Sequence, residues 1–338
     1  MYVGIQRYRC IDNAELELGG PLTLLVGPNG AGKTSYLEAL FLGASKGLAT
    51  VLSRPKVALA WVIMGRGEPY SPSLVSTSAD EAVIEIDGGR TIITNRSCMK
   101  ELDDAIDKEM QALAFEKFLL YLAQLAGYPI PEYAFREVGR VYACSGGDAS
   151  AVAVYPNDVI PAFRGGETDA LYVSPHLARS IRYVGPLVDV VAERNPDCVA
   201  EVLSLLKIRD VRNIAGLPYV VLKEGKAMRI SDIASGVAYA AVLGLSMCVA
   251  NHVYVDEPEA HLHPGLIETL GSIVENLIKE RKLKVAVATQ SIEILDVFTH
   301  LDVDGSVLRL KKCSLYDQIT LSEARERIDT LYDDLRYY

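Results

Sequence analysis

The stretch Gly27-Pro28-Asn29-Gly30-Ala31-Gly32-Lys33-Thr34 constrains this chain more than any other, because it fits the spacing G-x-x-x-x-G-K-[ST] between an apolar run and a helical run. Its glycines let the backbone turn so that successive N–H groups face one concavity, and the helix that follows aims its positive N-terminus at the same point. Such a loop cradles phosphate. Lys33 is placed to reach the outer phosphates of a nucleotide and Thr34 to hold Mg²⁺, with Asn29, Gly30, Ala31, Gly32 and Ser35 completing the binding loop. Leu22-Thr23-Leu24-Leu25-Val26 reads as a buried strand and residues 34–42 as a helix, the two neighbours that the loop needs.

The rest of the chain bounds the setting. Its 338 residues suffice for one large domain with an elaboration, or for two domains. The first residues lack a basic region followed by an apolar run, so no signal peptide is expected and the reading is cytoplasmic. Six scattered cysteines (Cys10, Cys98, Cys144, Cys198, Cys248, Cys313) form no C-x-x-C pair and read as reduced thiols. Residues 237–250 are apolar but fall short of the about 20 residues that cross a bilayer, so no membrane partner is expected. A net charge of −10 argues against a surface covered in nucleic-acid phosphate contacts, while leaving room for a local basic groove.

In order, residues 1–26 read as short strands leading into the loop, and 43–78 as irregular chain rich in Gly, Pro and Ser. A hairpin is expected over 82–94 about Asp87-Gly88-Gly89, a long helix over 102–126, and a second hairpin over 138–155. Residues 181–186 read as strand-like and 196–206 as helical, with a hairpin over 219–230. Then come helix 237–250, strand 252–256, helix 264–281, strand 284–289 and helix 291–298, the alternation of a mostly parallel α/β sheet.

The strand Val253-Tyr254-Val255 ends in Asp256-Glu257. In a parallel sheet the carboxyl ends of strands converge on the ligand crevice, so Asp256 is expected beside the Mg²⁺ held by Thr34, and Glu257 is expected to orient or deprotonate an attacking water. Arg9, from the first strand, is placed to approach the nucleotide sugar or phosphates.

Asp256 to Pro264, with Ser231-Asp232-Ile233-Ala234-Ser235-Gly236 upstream and Ala288-Thr289-Gln290-Ser291 downstream, resembles the stand-alone ABC-type AAA family ATPases of the SMC/RecF/OLD kind. Ile5-Gln6-Arg7-Tyr8-Arg9 is similar to that family's opening strand and Asp333-Asp334-Leu335-Arg336 to its ending, while 43–180 matches poorly. The resemblance implies a P-loop NTPase of ABC-ATPase head type: a mostly parallel core sheet, an antiparallel β subdomain and a helical/β insertion. From the chain order, residues 98–180 read as an insertion or lid between a lobe over 1–97 and a second lobe over 181–338.

The resemblance also implies ATP and Mg²⁺ as cofactors and a homodimer in which Ser235 and Gly236 of one subunit close on the nucleotide of the other. Gln290 takes the place of a switch histidine, and Ala234 the place of the serine expected first in the signature loop. His261 and His263 fall at the dimer contact. A switch ATPase acting on a partner protein or DNA is the expected function. The alternative is a nucleotide-gated sensor with negligible hydrolysis in a defence or toxin pair. A nuclease is disfavoured, since no acidic metal-binding segment follows the core in this sequence.

Overall fold

The structure is a computed structural model that describes every residue except 48, 51, 53–56, 68, 112–136, 157 and 338. Two sheets carry the fold. The first contains β1 (Tyr2–Tyr8), β2 (Ile11–Glu17), β5 (Glu81–Ile86), β6 (Gly89–Thr94), β7 (Gly139–Ser145), β8 (Asp148–Val154) and β9 (Val159–Arg164), antiparallel throughout in the order β2-β1-β5-β6-β7-β8-β9. The second contains β3 (Leu22–Val26), β11 (Ala170–Val173), β15 (His252–Asp256), β16 (Lys284–Ala288), β17 (Gly305–Lys311) and β18 (Ser314–Thr320). It runs β11-β15-β16-β3-β17-β18 and is parallel except for the edge strand β18. A small antiparallel sheet of β12 (Ile208–Ile214), β13 (Leu217–Leu222) and β14 (Ala227–Arg229) stands apart from these, and two-residue strands β4 (Ala49–Thr50) and β10 (Glu167–Thr168) pair in parallel.

The helix α1 (Lys33–Ser45) lies between the two large sheets, against β15 and β11 on one side and β5 on the other. That position explains its composition. All of its residues except Thr34 and Ala44 are buried, so it is apolar around its whole circumference rather than along one stripe. Gly43 is the close-approach point: a Cβ there would come within 2.6 Å of Ile84 on β5. Short α2 (Ala58–Met64) packs beside α1, and a third helix, α3, covers 100–111. The parallel sheet is flanked by α4 (Ile181–Arg194), α5 (Pro196–Leu205), α6 (Ser235–Val249), α7 (Pro264–Arg281), α8 (Ile292–Thr299) and α9 (Leu321–Leu331). As expected for a sheet covered on both faces, β3, β15 and β16 are nearly continuous apolar runs.

Several expectations are corrected. Residues 181–186 are helical, because Tyr183, Val184, Leu187, Val188 and Val191 keep a buried helical stripe that tolerates Pro186 in the second turn. Residues 43–78, expected as irregular chain, include α2, whose seven residues are all buried. Only 100–111 of the long helix lies within the described residues; the remainder of 102–126 lies outside them.

Within the segment 98–180, β7 to β9 extend the antiparallel sheet and β11 is an edge strand of the parallel one. Finally, all six cysteines pair, as Cys10–Cys313, Cys98–Cys144 and Cys198–Cys248. Their Cα atoms lie 5.7, 6.7 and 5.7 Å apart, a proximity that sequence separations of 303, 46 and 50 conceal. Cysteine usage therefore gives no support for a reducing compartment. No helix among the described residues is long and apolar enough to cross a membrane.

Candidate nucleotide site

The loop leaves β3 at Gly27, whose φ is 148° and whose Cβ, if it had one, would lie 2.4 Å from the Leu310 carbonyl oxygen of β17. Only glycine fits that approach. Ala31 N–H donates to Pro28 O (3.1 Å) to close the turn, and Gly32, left-handed at φ 95°, precedes the first residue of α1. Lys33 is buried and its ammonium donates to Gly27 O (2.9 Å) and Pro28 O (3.2 Å), folding back over its own loop. Burial lowers the Lys33 pKa from the ordinary range, against the pull of Glu257, Glu259 and Asp256.

Across the sheet, Thr34 Oγ1 donates to Asp256 Oδ1 at 3.1 Å, and Tyr172 donates to the other carboxylate oxygen at 3.3 Å. Asp256 is 7% exposed. Burial first, then the charges of Glu38 and Glu257, push its pKa up to about 7, despite the Thr34 hydrogen bond. Glu257 follows in a left-handed conformation, φ 45°, with its N–H on Ala288 O (2.9 Å). A non-glycine residue held there at a strand end is a conformational cost of the kind found at functional turns.

One cleft of about 440 Å³ takes in Asn29, Gly30, Gly32, Lys33, Thr34 and Ser35 together with Arg9 and Glu257. Ala31 is buried beneath it, its carbonyl accepting from Cys313 N–H (3.0 Å). Arg9 does reach the cleft, but Glu38 holds it there: Nε donates to Glu38 Oε2 at 2.6 Å and Nη1 to Ser73 O at 2.9 Å. Arg66 donates to the same carboxylate at 2.7 Å, and Tyr8 also bonds it.

Arg66 and the Cys10–Cys313 pair on the cleft wall, and the fully buried Glu38 and Tyr172, were not expected from the sequence. The one available signal was Glu38 itself, a lone acid in an apolar helix.

Ser235 and Gly236 are not in this cleft. They open α6 beside a second cavity of about 210 Å³ that reaches His261, Arg179 and Tyr239. Ala234 gives the helix no side-chain cap, and a Cβ on Gly236 would come within 2.7 Å of His261 O, so the helix start packs directly on the 257–263 loop. Tyr239 donates to the Asp256 carbonyl (3.2 Å), linking α6 to the end of β15. Gln290 sits after β16, where Thr289 N–H donates to Leu25 O (3.0 Å) and Gln290 N–H to Glu259 Oε1 (2.8 Å). His263 accepts from Gly265 N–H (3.3 Å) as the cap of α7, and the His261 ring meets Tyr239 edge-on.

Residues 3–109 match the family model described as AAA domain. Among curated proteins the chain is 35% identical over 92 residues to the DNA replication and repair protein RecF of Erwinia tasmaniensis, covering 25% of this chain and 26% of that protein. It is 53% identical over 38 residues to the OLD nuclease of Thermus scotoductus, covering 11% of this chain and 7% of that one. The matched segments thus span about a quarter and under a tenth of those relatives. An SMC head bound to the C-winged helix domain of ScpA aligns over 96% of this chain and 98% of its own at 11% identity and a TM-score of 0.48, too distant to carry weight. The family match at the N-terminal third, and a parallel sheet that brings the phosphate loop to an Asp-Glu strand end, agree. Over residues 3–109 the chain is thus similar to the AAA domain family, and shorter segments of it are similar to RecF and to the OLD nuclease.

Proposed function

We propose that this chain is an ATP-binding and ATP-hydrolysing switch that works as a head-to-tail dimer with nucleotide between its subunits, coupling that cycle to a partner protein or to nucleic acid. The observation that carries the reading is the 3.1 Å hydrogen bond between Thr34 and Asp256 in a site that also holds Lys33 and Glu257. A hydroxyl and a carboxylate are the hard oxygen donors that suit Mg²⁺ beside phosphates, and open space surrounds Gly30, where a Cβ would meet nothing within 4 Å. The residues present therefore fit a magnesium nucleotide. Thr34 and Asp256 would hold the ion, and the loop amides the phosphates. When bound, the ion neutralises phosphate charge.

Lys33 would exchange two backbone carbonyls for phosphate oxygens, and Glu257 would orient a water and take its proton. Ser235 and Gly236, lying outside this cleft, are free to meet a second subunit's nucleotide, which supports the dimer. The similarity to a DNA replication and repair protein makes nucleic acid the first partner class to test, although the net charge of −10 confines any such contact to a local surface.

The second reading is a nucleotide-gated sensor that hydrolyses negligibly alone. Gln290 favours it, because an amide cannot take up the charge a histidine can, and so does the uncapped start of α6 at Ala234. Steady-state turnover separates the two. A rate on the order of 1 per minute or faster that is lost in Glu257→Gln supports the switch. Tight ATP binding without turnover supports the sensor, and absence of ATP binding removes both.

A further inference from the structure

The backbone of Gln290 is gripped from two sides by groups outside its own loop. On one side Glu259 accepts its N–H at 2.8 Å. On the other, Arg336 from the C-terminal tail donates Nη1 to its carbonyl at 3.1 Å. Arg336 is itself held in a fork by Asp334, with Nε to Oδ1 at 2.8 Å and Nη2 to Oδ2 at 2.7 Å, and its guanidinium lies 5.5 Å from the Tyr337 ring centre.

The tail that carries it is anchored. Leu335 is 1% exposed, and Arg309 of β17, itself buried, donates Nε to the Leu335 carbonyl at 3.2 Å and Nη2 to that of Tyr337. β17 is also the strand on which Gly27 rests. The tail is therefore a strap fixed to the strand beside the phosphate loop, and it ends on the loop that follows β16.

We propose that Arg336 is a positioning residue for Gln290, setting how the 288–291 loop meets the terminal phosphate of a bound nucleotide. The proposal rests on the nucleotide reading above. Arg336 touches the backbone of Gln290 and not its side chain, so it fixes where the amide can reach without contributing a group of its own. Glu259 leaves its second oxygen buried and without a hydrogen-bond partner among the described residues, so Arg336 is the partner that fixes the carbonyl end of Gln290. A tie that served only to hold the tail down would act on any nucleotide equally. A tie that positions Gln290 acts on those that carry a terminal phosphate there.

The test is the affinity for Mg-ATP and for Mg-ADP, measured by titration calorimetry on the full chain as wild type, Arg336→Ala and Arg336→Lys. Loss of one positioning hydrogen bond is expected to lower the ATP-over-ADP preference about three- to tenfold in Arg336→Ala, with ADP affinity unchanged. Lysine, which keeps one donor but not the fork, is expected to recover part of it. An unchanged preference, or a parallel loss for both nucleotides, would overturn the proposal and mark a structural tie. Equal wild-type affinity for both nucleotides would also overturn it while leaving nucleotide binding intact. Failure of the wild type to bind either would sink the nucleotide reading instead.

Discussion

Asp256 is buried at the end of β15 between the hydroxyls of Thr34 and Tyr172. The folded protein holds its proton to about pH 7, whereas the unfolded chain releases it near 3.8. The sign follows. This site's contribution to stability is complete below about pH 3.8 and is lost as pH rises through 7. Asp256→Asn is therefore expected to raise the melting temperature of the nucleotide-free, Mg²⁺-free protein at pH 8 by roughly 2 °C or more, with the gain vanishing by pH 5. A melting temperature unchanged or lowered at pH 8 in differential scanning calorimetry would contradict this.

A second buried carboxylate, that of Glu38, sits between two guanidinium groups. It is fully buried and neutralises Arg9 and Arg66 at 2.6 and 2.7 Å, so Glu38→Ala leaves two cations facing each other beside the cleft. The expected cost is about 3–5 kcal/mol of unfolding free energy, read by urea titration, together with weaker nucleotide binding. A loss under about 1 kcal/mol would mean the network is solvent-screened.

At the scale of elements, the Cys10–Cys313 bond ties the turn after β1 to the turn before β18, across the phosphate loop. A Cβ on Gly32 would lie 3.1 Å from Cys313 Cα and 3.3 Å from Cys10 Sγ, so the crosslink backs the loop directly. Reducing it frees a long chain loop in the unfolded state, worth about 2–5 kcal/mol. Cys10→Ser with Cys313→Ser is accordingly expected to melt several degrees lower than wild type without reductant, and the gap to close when both proteins are treated with a dithiol, which reduces the other two disulfides in each; coincident melting curves without reductant would refute it.

Elements whose physics is local were legible in the sequence: the phosphate loop by its glycine spacing, β3, β15 and β16 by their apolar runs, α6, α7 and α8 by length and period. What was not legible depended on distant partners. Residues 181–186 become a helix because α4 packs on α6, and no residue within the segment announces that. The cysteine pairs and the anchoring of Arg9 by Glu38 are likewise contacts between segments that share no pattern.

For the whole molecule, the phosphate loop and Glu257 line one cavity, and Ser235 and His261 line another. Within the chain α6 is fixed, its start packed against His261 and its Tyr239 bonded to Asp256. In the proposed sandwich the two regions would meet on one nucleotide through a second copy. The most direct measurement is the mass in solution of Glu257→Gln, by sedimentation velocity, with saturating Mg-ATP and with Mg-ADP. The account predicts a dimer with ATP, a monomer with ADP, and no dimer when Gly236→Arg is added. A Glu257→Gln protein that binds ATP yet stays monomeric at saturation would contradict the nucleotide-sandwich account.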